Sequence, residues 1–280
     1  MNLGNALRTV SSELSGVTED AGMEARLIIQ KATGLSRPVI LSHPERELSD
    51  SQWQKIRTMS ERRQTGFPLP YILGEWEFYG YSYLVDPSVL IPRPETELLV
   101  EEAAGWLKRH PSVRLGYDIG TGSGCIAISL LLENPDLQMV AGDLYRDTLK
   151  TASANAVRLG VRNRFFPLQS SLFSSFRKGA QLVCANLPYI PTETCKTIEP
   201  ARFEPISALD GGADGFDLYR LLFEQLAYTI IDSEFLILCE IEYRQRELAL
   251  ETAAKHFPYR DIRVLEDLAG QPRVLRICGE

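Results

Sequence analysis

The sequence predicts an α/β protein: a mostly parallel sheet with helices on both faces, preceded by a small helical domain. Three observations carry this reading. Candidate strands and helices alternate from about residue 112 onward, the pattern of βαβ units. A glycine-rich turn, Gly120-Thr121-Gly122-Ser123-Gly124, stands where the first of those strands should pass into its helix. The first 66 residues carry helical spacing of apolar side chains.

In residues 1–66, Leu3, Leu7, Val10 and Leu14 recur at three or four, one face of an amphipathic helix. A second helix is expected after Thr18-Glu19-Asp20, carrying Met23, Ala25, Leu27, Ile28 and Ile29. A third follows the start signal Ser49-Asp50-Ser51 and carries Trp53, Ile56 and Met59, with Gly66 as a stop. Residues 67–93 read as a linker with a β-hairpin, because the run from Trp76 to Val85 is aromatic-rich around a central Gly80. Pro92 and Pro94 disfavour helix before Glu95, and Leu98, Leu99, Val100 and Ala103 then continue helically. Within the third segment, 94–280, strands are expected at 114–119, 137–142, 181–186, 234–240, 261–266 and 272–278. Helical patterns fall at 124–133, 146–159, 217–230 and 243–256. Phe235-Leu236-Ile237-Leu238 is an apolar run of the kind buried on both sides.

Composition narrows the function. With 280 residues, 44% of them hydrophobic, the chain can build a real core and is not a disordered, collagen-like or disulfide-scaffold protein. A net charge of −7 argues against gripping nucleic acid through the overall field. Cys125, Cys184, Cys195, Cys239 and Cys278 are scattered without a CxxC pair, and the three histidines lie far apart, so no metal site is expected. The N-terminus lacks a signal-peptide core and no run of about 18 apolar residues occurs, which predicts a soluble cytoplasmic protein. Trp53, Trp76 and Trp106 read as packing residues and Cys184 as a buried inert thiol. The basic pairs Arg62-Arg63 and Arg177-Lys178 read as solvated charge. Glu204, Asp210 and Asp214 raise the idea of paired carboxylates, but Gly211, Gly212 and Gly215 favour a structured loop.

The glycine turn is not a dinucleotide fingerprint, because the third glycine of G-x-G-x-x-G would fall on Cys125. No Gly-Lys-Ser/Thr follows, so it is not a Walker loop either. The spacing is D-x-G-x-G-x-G, from Asp118 to Gly124. An acid in place of a phosphate cradle suits a ligand with a cationic amine, such as the methionine part of S-adenosylmethionine. Asp143 ends the second strand, where a carboxylate can accept both ribose hydroxyls. Further on, Leu182-Val183-Cys184-Ala185 runs into Asn186-Leu187-Pro188-Tyr189. The Asn186 carbonyl and a backbone carbonyl beside Pro188 can accept both N–H bonds of a planar NH2 group, with Tyr189 stacked on its plane. Such a site selects an amide or an exocyclic amine. Positioning supplies much of the catalysis, and the proton can leave to water, so no general base is required.

The Asp118–Gly124 loop followed by N-x-P-Y resembles the S-adenosylmethionine-dependent amino-methyltransferases. The wider pattern is similar to the HemK/PrmC family, the peptide chain release factor N5-glutamine methyltransferases. Matching stretches include Pro70–Gly74, Glu77–Gly80, Leu90–Glu97, Asn155-Ala156, Glu204-Pro205, Ala208–Gly215, Tyr219-Arg220 and Asp267–Gly270, in order over 68–280. The resemblance implies a Rossmann-like, seven-stranded methyltransferase domain over 94–280, with 1–66 recognising the substrate protein. It implies transfer from S-adenosylmethionine to N5 of the glutamine in the GGQ motif of class 1 release factors, supporting translation termination and leaving S-adenosylhomocysteine. It further implies a monomer with no membrane and no sequence-specific nucleic-acid binding. Cofactor contacts are carried to Asp118, Gly120, Thr121, Gly122, Ser123, Gly124, Asp143 (ribose), Leu172 (adenine) and Asn186. Substrate contacts are carried to Asn186, Leu187, Pro188 and Tyr189, of which Asn186, Pro188 and Tyr189 are the catalytic set. Arg93, Glu95 and Thr96 are candidates for the entrance.

Two residues depart from the family pattern: Leu187 where Pro is usual, and Glu242 where Glu-Ile-Gly would place glycine. Leu187→Pro is expected to be neutral or mildly favourable, since only backbone freedom changes. Three rivals stand beside this reading. An N6-adenine DNA methyltransferase shares the N-x-P-Y logic, but the acidic balance weighs against it. The others are a glutamine methyltransferase acting on a ribosomal protein and a non-catalytic nucleotide-binding scaffold.

Overall fold

The computed structural model describes residues 1–175, 180–229 and 234–279. The chain divides into two compact units, Met1–Glu75 and Trp76–Glu280. In the first, α1 (Leu3–Leu14), α2 (Ala21–Thr33), α3 (Arg37–Ser42), α4 (Asp50–Gln64) and α5 (Leu69–Leu73) follow one another. Asn2 caps α1 by accepting the Asn5 N–H at 2.9 Å. Ser49 and Gln52 close a reciprocal capping box at the start of α4. The helices α1, α2 and α4 pack on one another through Leu3, Ala6, Val10, Leu14, Ala25, Ile28 and Ile56. Leu7, expected on the same face, is only half-buried, with Ala6 taking the inner position.

Three details differ from the sequence reading. The helical unit continues to Glu75 rather than ending at 66, because α5 packs against α2 and α4. The segment 67–93 is therefore not all linker. Arg63 is not solvated charge: its guanidinium meets the Glu24 carboxylate at 2.7 and 3.1 Å, joining α4 to α2. The other basic pair, Arg177-Lys178, lies outside the described residues.

The second unit opens with a hairpin, β1 (Glu75–Phe78) and β2 (Tyr81–Leu84). Its two-residue turn, Tyr79-Gly80, has positive φ at both positions, 51° and 74°, the backbone that matches strand twist. A single helical turn over Pro94–Thr96 leads into α6 (Glu97–Arg109). Then come β3 (Leu115–Ile119), α7 (Cys125–Glu133), β4 (Gln138–Asp143), α8 (Arg146–Arg158) and β5 (Phe165–Gln169). They are followed by β6 (Leu182–Ala185), the short α9 (Thr192–Cys195) and α10 (Asp217–Ala227). The helical pattern read over 217–230 thus ends early, and its last residue lies outside the described ones. The chain finishes with β7 (Phe235–Glu240), α11 (Arg246–His256), β8 (Asp261–Glu266) and β9 (Pro272–Gly279).

Seven strands form one sheet in the order β5-β4-β3-β6-β7-β9-β8, parallel except that β9 runs antiparallel to both its neighbours. Among them β5 escaped the sequence reading, since Pro167 demotes a strand; it is tolerated because β5 is an edge with one neighbour. Side chains alternate between the two faces. Leu182, Cys184, Leu236 and Leu238 join α6, α7 and α8 on one side. Val183, Ala185, Ile237 and Cys239 join α10 and α11 on the other. Trp106 is buried, whereas Trp53 and Trp76 are half-buried.

One buried amide ties hairpin, helix and glycine turn together. Asn155 on α8 accepts the Leu84 N–H at 2.6 Å and donates to the carbonyls of Leu84 and Ser123 at 3.0 and 2.8 Å. Asn155→Ala leaves three backbone groups, one buried and two partly buried, without that partner and is expected to cost about 3 kcal/mol. Denaturant unfolding followed by circular dichroism checks this; a loss below about 1 kcal/mol contradicts it.

Candidate functional site

The sheet places the site. Ile119 of β3 and Ala185 of β6 are in register, so the chain leaves both strands side by side at Gly120 and Asn186. Strand order reverses there, which opens a crevice at the carboxyl edge of the sheet. A cavity of about 520 Å³ occupies it. Its wall includes Gly120, Thr121, Gly122, Ser123, Asp143, Leu172, Asn186, Leu187 and Pro188. Nine sequence-predicted residues, spread over 69 positions of chain from Gly120 to Pro188, thus converge on one space.

The glycine turn is held by its neighbours. The N–H groups of Gly120 and Thr121 both donate to the Gly142 carbonyl at 2.9 Å, fixing the turn to β4. A Cβ at Gly122 would meet no protein atom nearer than the Gly120 carbonyl oxygen at 4.0 Å, so its backbone faces open cavity. Its φ of 56° further favours glycine. Asp143 accepts the Gly122 N–H at 3.2 Å through Oδ2 and the Tyr145 N–H at 3.0 Å through Oδ1. Burial pushes its carboxyl up, against the pull of these backbone donors.

Asp118 and Gly124 do not reach the cavity wall. Gly124 is the N-cap of α7. Asp118 is fully buried behind the turn, where Oδ2 accepts the Thr121 hydroxyl at 2.7 Å and the Ala127 N–H at 3.3 Å. It staples the turn to α7. Its Oδ1 has no protein partner, and burial pushes the carboxyl up to about 7 despite those two donors. Of the entrance candidates, Arg93 and Thr96 line the wall, while Glu95 is exposed and off it.

At Asn186 the polar network is dense. Its Nδ2 donates to Glu240 Oε2 at 2.9 Å and to Thr96 Oγ1 at 3.0 Å. The Thr96 hydroxyl and the Tyr189 hydroxyl also donate to Glu240, at 2.5 and 3.3 Å. Tyr189 lines an adjoining recess of about 100 Å³ that shares Arg93, Asn186 and Leu187 with the larger cavity. Glu240 is 1% exposed and lines neither space. Burial pushes its carboxyl up to about 7, opposed by Thr96, Arg273 and Tyr189. Glu240 opens the Glu-Ile-Glu turn whose last residue, Glu242, departs from the family pattern, and it is not among the sequence-predicted site residues. The available signal was a carboxylate ending the otherwise apolar strand Phe235–Glu240 at the same sheet edge as the glycine turn.

Both departures from the family pattern are used by the fold. The Leu187 N–H donates to the Tyr219 hydroxyl at 3.0 Å. Proline has no such hydrogen, so Leu187→Pro removes a bond, and the expectation of neutrality does not hold. Glu242 accepts the Arg244 N–H at 2.9 Å and forms a capping box with Gln245. The Gln245 side chain then donates to the Tyr189 carbonyl at 3.0 Å.

The three suspected carboxylates serve separate places. Glu204 is buried and takes the Ile91 N–H and the Arg93 guanidinium. Asp210 accepts from Thr192 and the Gly212 N–H, and Asp214 pairs with Arg220. Asp210 and Asp214 shape loops, as the glycines around them indicated. Cys184 is buried in β6, and burial drives its thiol well above the ordinary range. Among the described residues no group of three or more His, Cys, Asp or Glu side chains could hold a metal ion. No described helix is long and apolar enough to cross a membrane.

Comparison with known proteins agrees with this geometry. Residues 5–74 match the family model described as PrmC N-terminal domain. A release factor glutamine methyltransferase of Bacillus subtilis is 34% identical over 96% of this chain and 95% of its own length. One from Moorella thermoacetica is 37% identical over 97% and 95%. Among solved structures, a ribosomal protein L11 methylase from Lactobacillus delbrueckii subsp. bulgaricus superposes with a TM-score of 0.51, covering 70% of this chain and 84% of that one. At 18% identity it bears on the fold alone, which is that of a Rossmann-like methyltransferase. Identity sustained over nearly the whole length of both proteins places the chain in the release factor glutamine methyltransferase family.

Proposed function

We propose that this chain transfers a methyl group from S-adenosylmethionine to the side-chain amide nitrogen of the glutamine in the GGQ motif of class 1 peptide chain release factors. One observation carries the reading. With Nδ2 of Asn186 engaged by Glu240 and Thr96, its Oδ1 is left to accept an N–H from a substrate amide at the wall of the cavity. A backbone carbonyl of the Leu187-Pro188 segment, on the same wall, is suited to accept the second N–H. Together they hold the nitrogen and favour the positive charge that grows on it.

The cavity suits the methyl donor. The backbone at Gly122 leaves room for close approach, and each Asp143 oxygen has capacity left for a ribose hydroxyl. Leu172 lies on the wall where adenine is expected, and the unpaired Asp118 Oδ1 lies behind the turn. When bound, S-adenosylmethionine supplies an electrophilic sulfonium methyl and leaves as S-adenosylhomocysteine. The residues on the wall orient the amide, and the surplus proton passes to water after transfer.

We assign recognition of the release factor to the N-terminal helical unit, methyl transfer to the second unit, and the cytoplasm as the place of action. The protein works there as a monomer. Labelled methyl transfer to purified release factors, with a ribosomal protein and DNA as controls, tests the reading. Label on the GGQ glutamine alone is expected; label only on a control sinks it. Asp143→Ala is expected to weaken cofactor binding by about 1–3 kcal/mol in calorimetry. Unchanged affinity removes Asp143 from the site.

A further inference from the structure

We propose that Glu240 is a positioning residue that locks the Asn186 side chain in the one orientation presenting an acceptor to the substrate amide. The inference rests on Asn186 being the group that holds that amide.

An asparagine amide offers two nearly isosteric faces, one accepting and one donating. Rotation by half a turn exchanges them, and only the accepting face suits an incoming N–H. Some neighbour must choose. Here three donors point at Glu240: Nδ2 of Asn186, the Thr96 hydroxyl and the Tyr189 hydroxyl. That arrangement is satisfied by an ionised carboxylate, which accepts only. Flipping Asn186 would set its Oδ1 against the Glu240 oxygen now 2.9 Å from Nδ2, so two acceptors would face each other without a proton. A protonated Glu240 removes the constraint, because it can donate to Oδ1 and leave Nδ2 facing the cavity.

Glu240 does not do chemistry itself. It lies on neither the cavity nor the recess, and among the described residues its side chain is bonded to the site through Asn186, Thr96 and Tyr189. The polar and titratable groups near it come from several elements. Thr96 and Glu95 precede α6, Asn186 and Tyr189 follow β6, Tyr219 comes from α10, Cys125 from α7 and Arg273 from β9. Arg273 favours the ionised form and Glu95 opposes it, while burial moves the titration up to about 7. The sign follows directly. Above that value Glu240 is charged and Asn186 is locked; below it the lock opens and turnover falls.

The test uses the full chain and a purified release factor, with methyl transfer followed from about pH 6 to about pH 9 and cofactor affinity measured by calorimetry alongside. For the wild type at saturating S-adenosylmethionine, kcat is expected to fall as the pH drops through about 7. Asp118 titrates in the same range, but it holds the glycine turn, so its effect would appear in cofactor affinity. Glu240→Gln is expected to lower kcat about 30-fold and flatten the profile, since a glutamine can pair with either face of Asn186. The double variant carrying Glu240→Gln and Asn186→Ala should turn over no more slowly than Asn186→Ala alone, because one residue acts through the other. Multiplying losses overturn the inference. So does a wild-type kcat that stays level over that range, even if the variant fails to fold. Full activity of Asn186→Ala would instead sink the assignment of Asn186, a separate outcome.

Discussion

Asn186→Ala lowers turnover by about 100-fold or more, equivalent to about 2.7 kcal/mol or more of lost transition-state stabilisation. The side chain removed lines the cavity and has its orientation fixed by two buried partners, Thr96 and Glu240. Cofactor affinity should change little, because the Gly120–Gly124 turn and Asp143 are anchored elsewhere, to Gly142 and Tyr145. Asn186→Asp is the more revealing partner. It keeps an acceptor toward the cavity but sets a second carboxylate where Nδ2 now donates to Glu240 at 2.9 Å. Like charges at that separation, away from water, cannot both stay ionised. Asn186→Asp should therefore unfold at a lower temperature than Asn186→Ala, as well as lose activity. Scanning calorimetry and single-turnover methyl transfer check both. Wild-type turnover by Asn186→Ala would leave N-x-P-Y as an ordinary turn.

Gly215→Ala should strongly damage both stability and activity. Gly215 has a φ of 79°, and a Cβ there would lie 2.1 Å from the Tyr189 carbonyl oxygen and 2.8 Å from the Gln245 Nε2. The first of these is backbone, so the clash cannot be relieved by rotating a side chain. It displaces the N-x-P-Y segment itself. That segment is tied to this loop at several points. The Ile190 N–H donates to Leu209, the Gly211 N–H to Ile190, and the Gln245 side chain to both Tyr189 and Gly215. Left-handed backbone strain and overpacking together should cost about 3 kcal/mol of stability. A shift of Asn186 from its productive position should lower kcat about tenfold beyond that. Denaturant unfolding and initial-rate measurements on the surviving folded fraction separate the two effects. A variant with wild-type stability and rate would mean that the loop does not support the site.

Much of the architecture was legible in the chain because it rests on local rules. Period-two and period-3.6 spacing located six of the seven sheet strands and the principal helices, and Ser49-Asp50-Ser51 marked a helix start that proves to be a capping box. The failures have particular causes. Pro167 concealed β5, whose place depends on being an edge of a sheet assembled from distant segments. The solvated reading of Arg63 failed because its partner, Glu24, lies 39 residues away on another helix. Leu187 looked like a mere loss of rigidity because the acceptor for its N–H, Tyr219, is 32 residues downstream.

By itself the sequence determined the order of the elements, the glycine turn at the end of β3 and the N-x-P-Y segment at the end of β6, since each depends on residues close along the chain. Only the tertiary structure decided which way Asn186 faces. That choice belongs to Glu240, 54 residues further on, which the pairing of β6 with β7 brings beneath the site. An amide looks alike from both ends until a buried carboxylate beside it accepts from one.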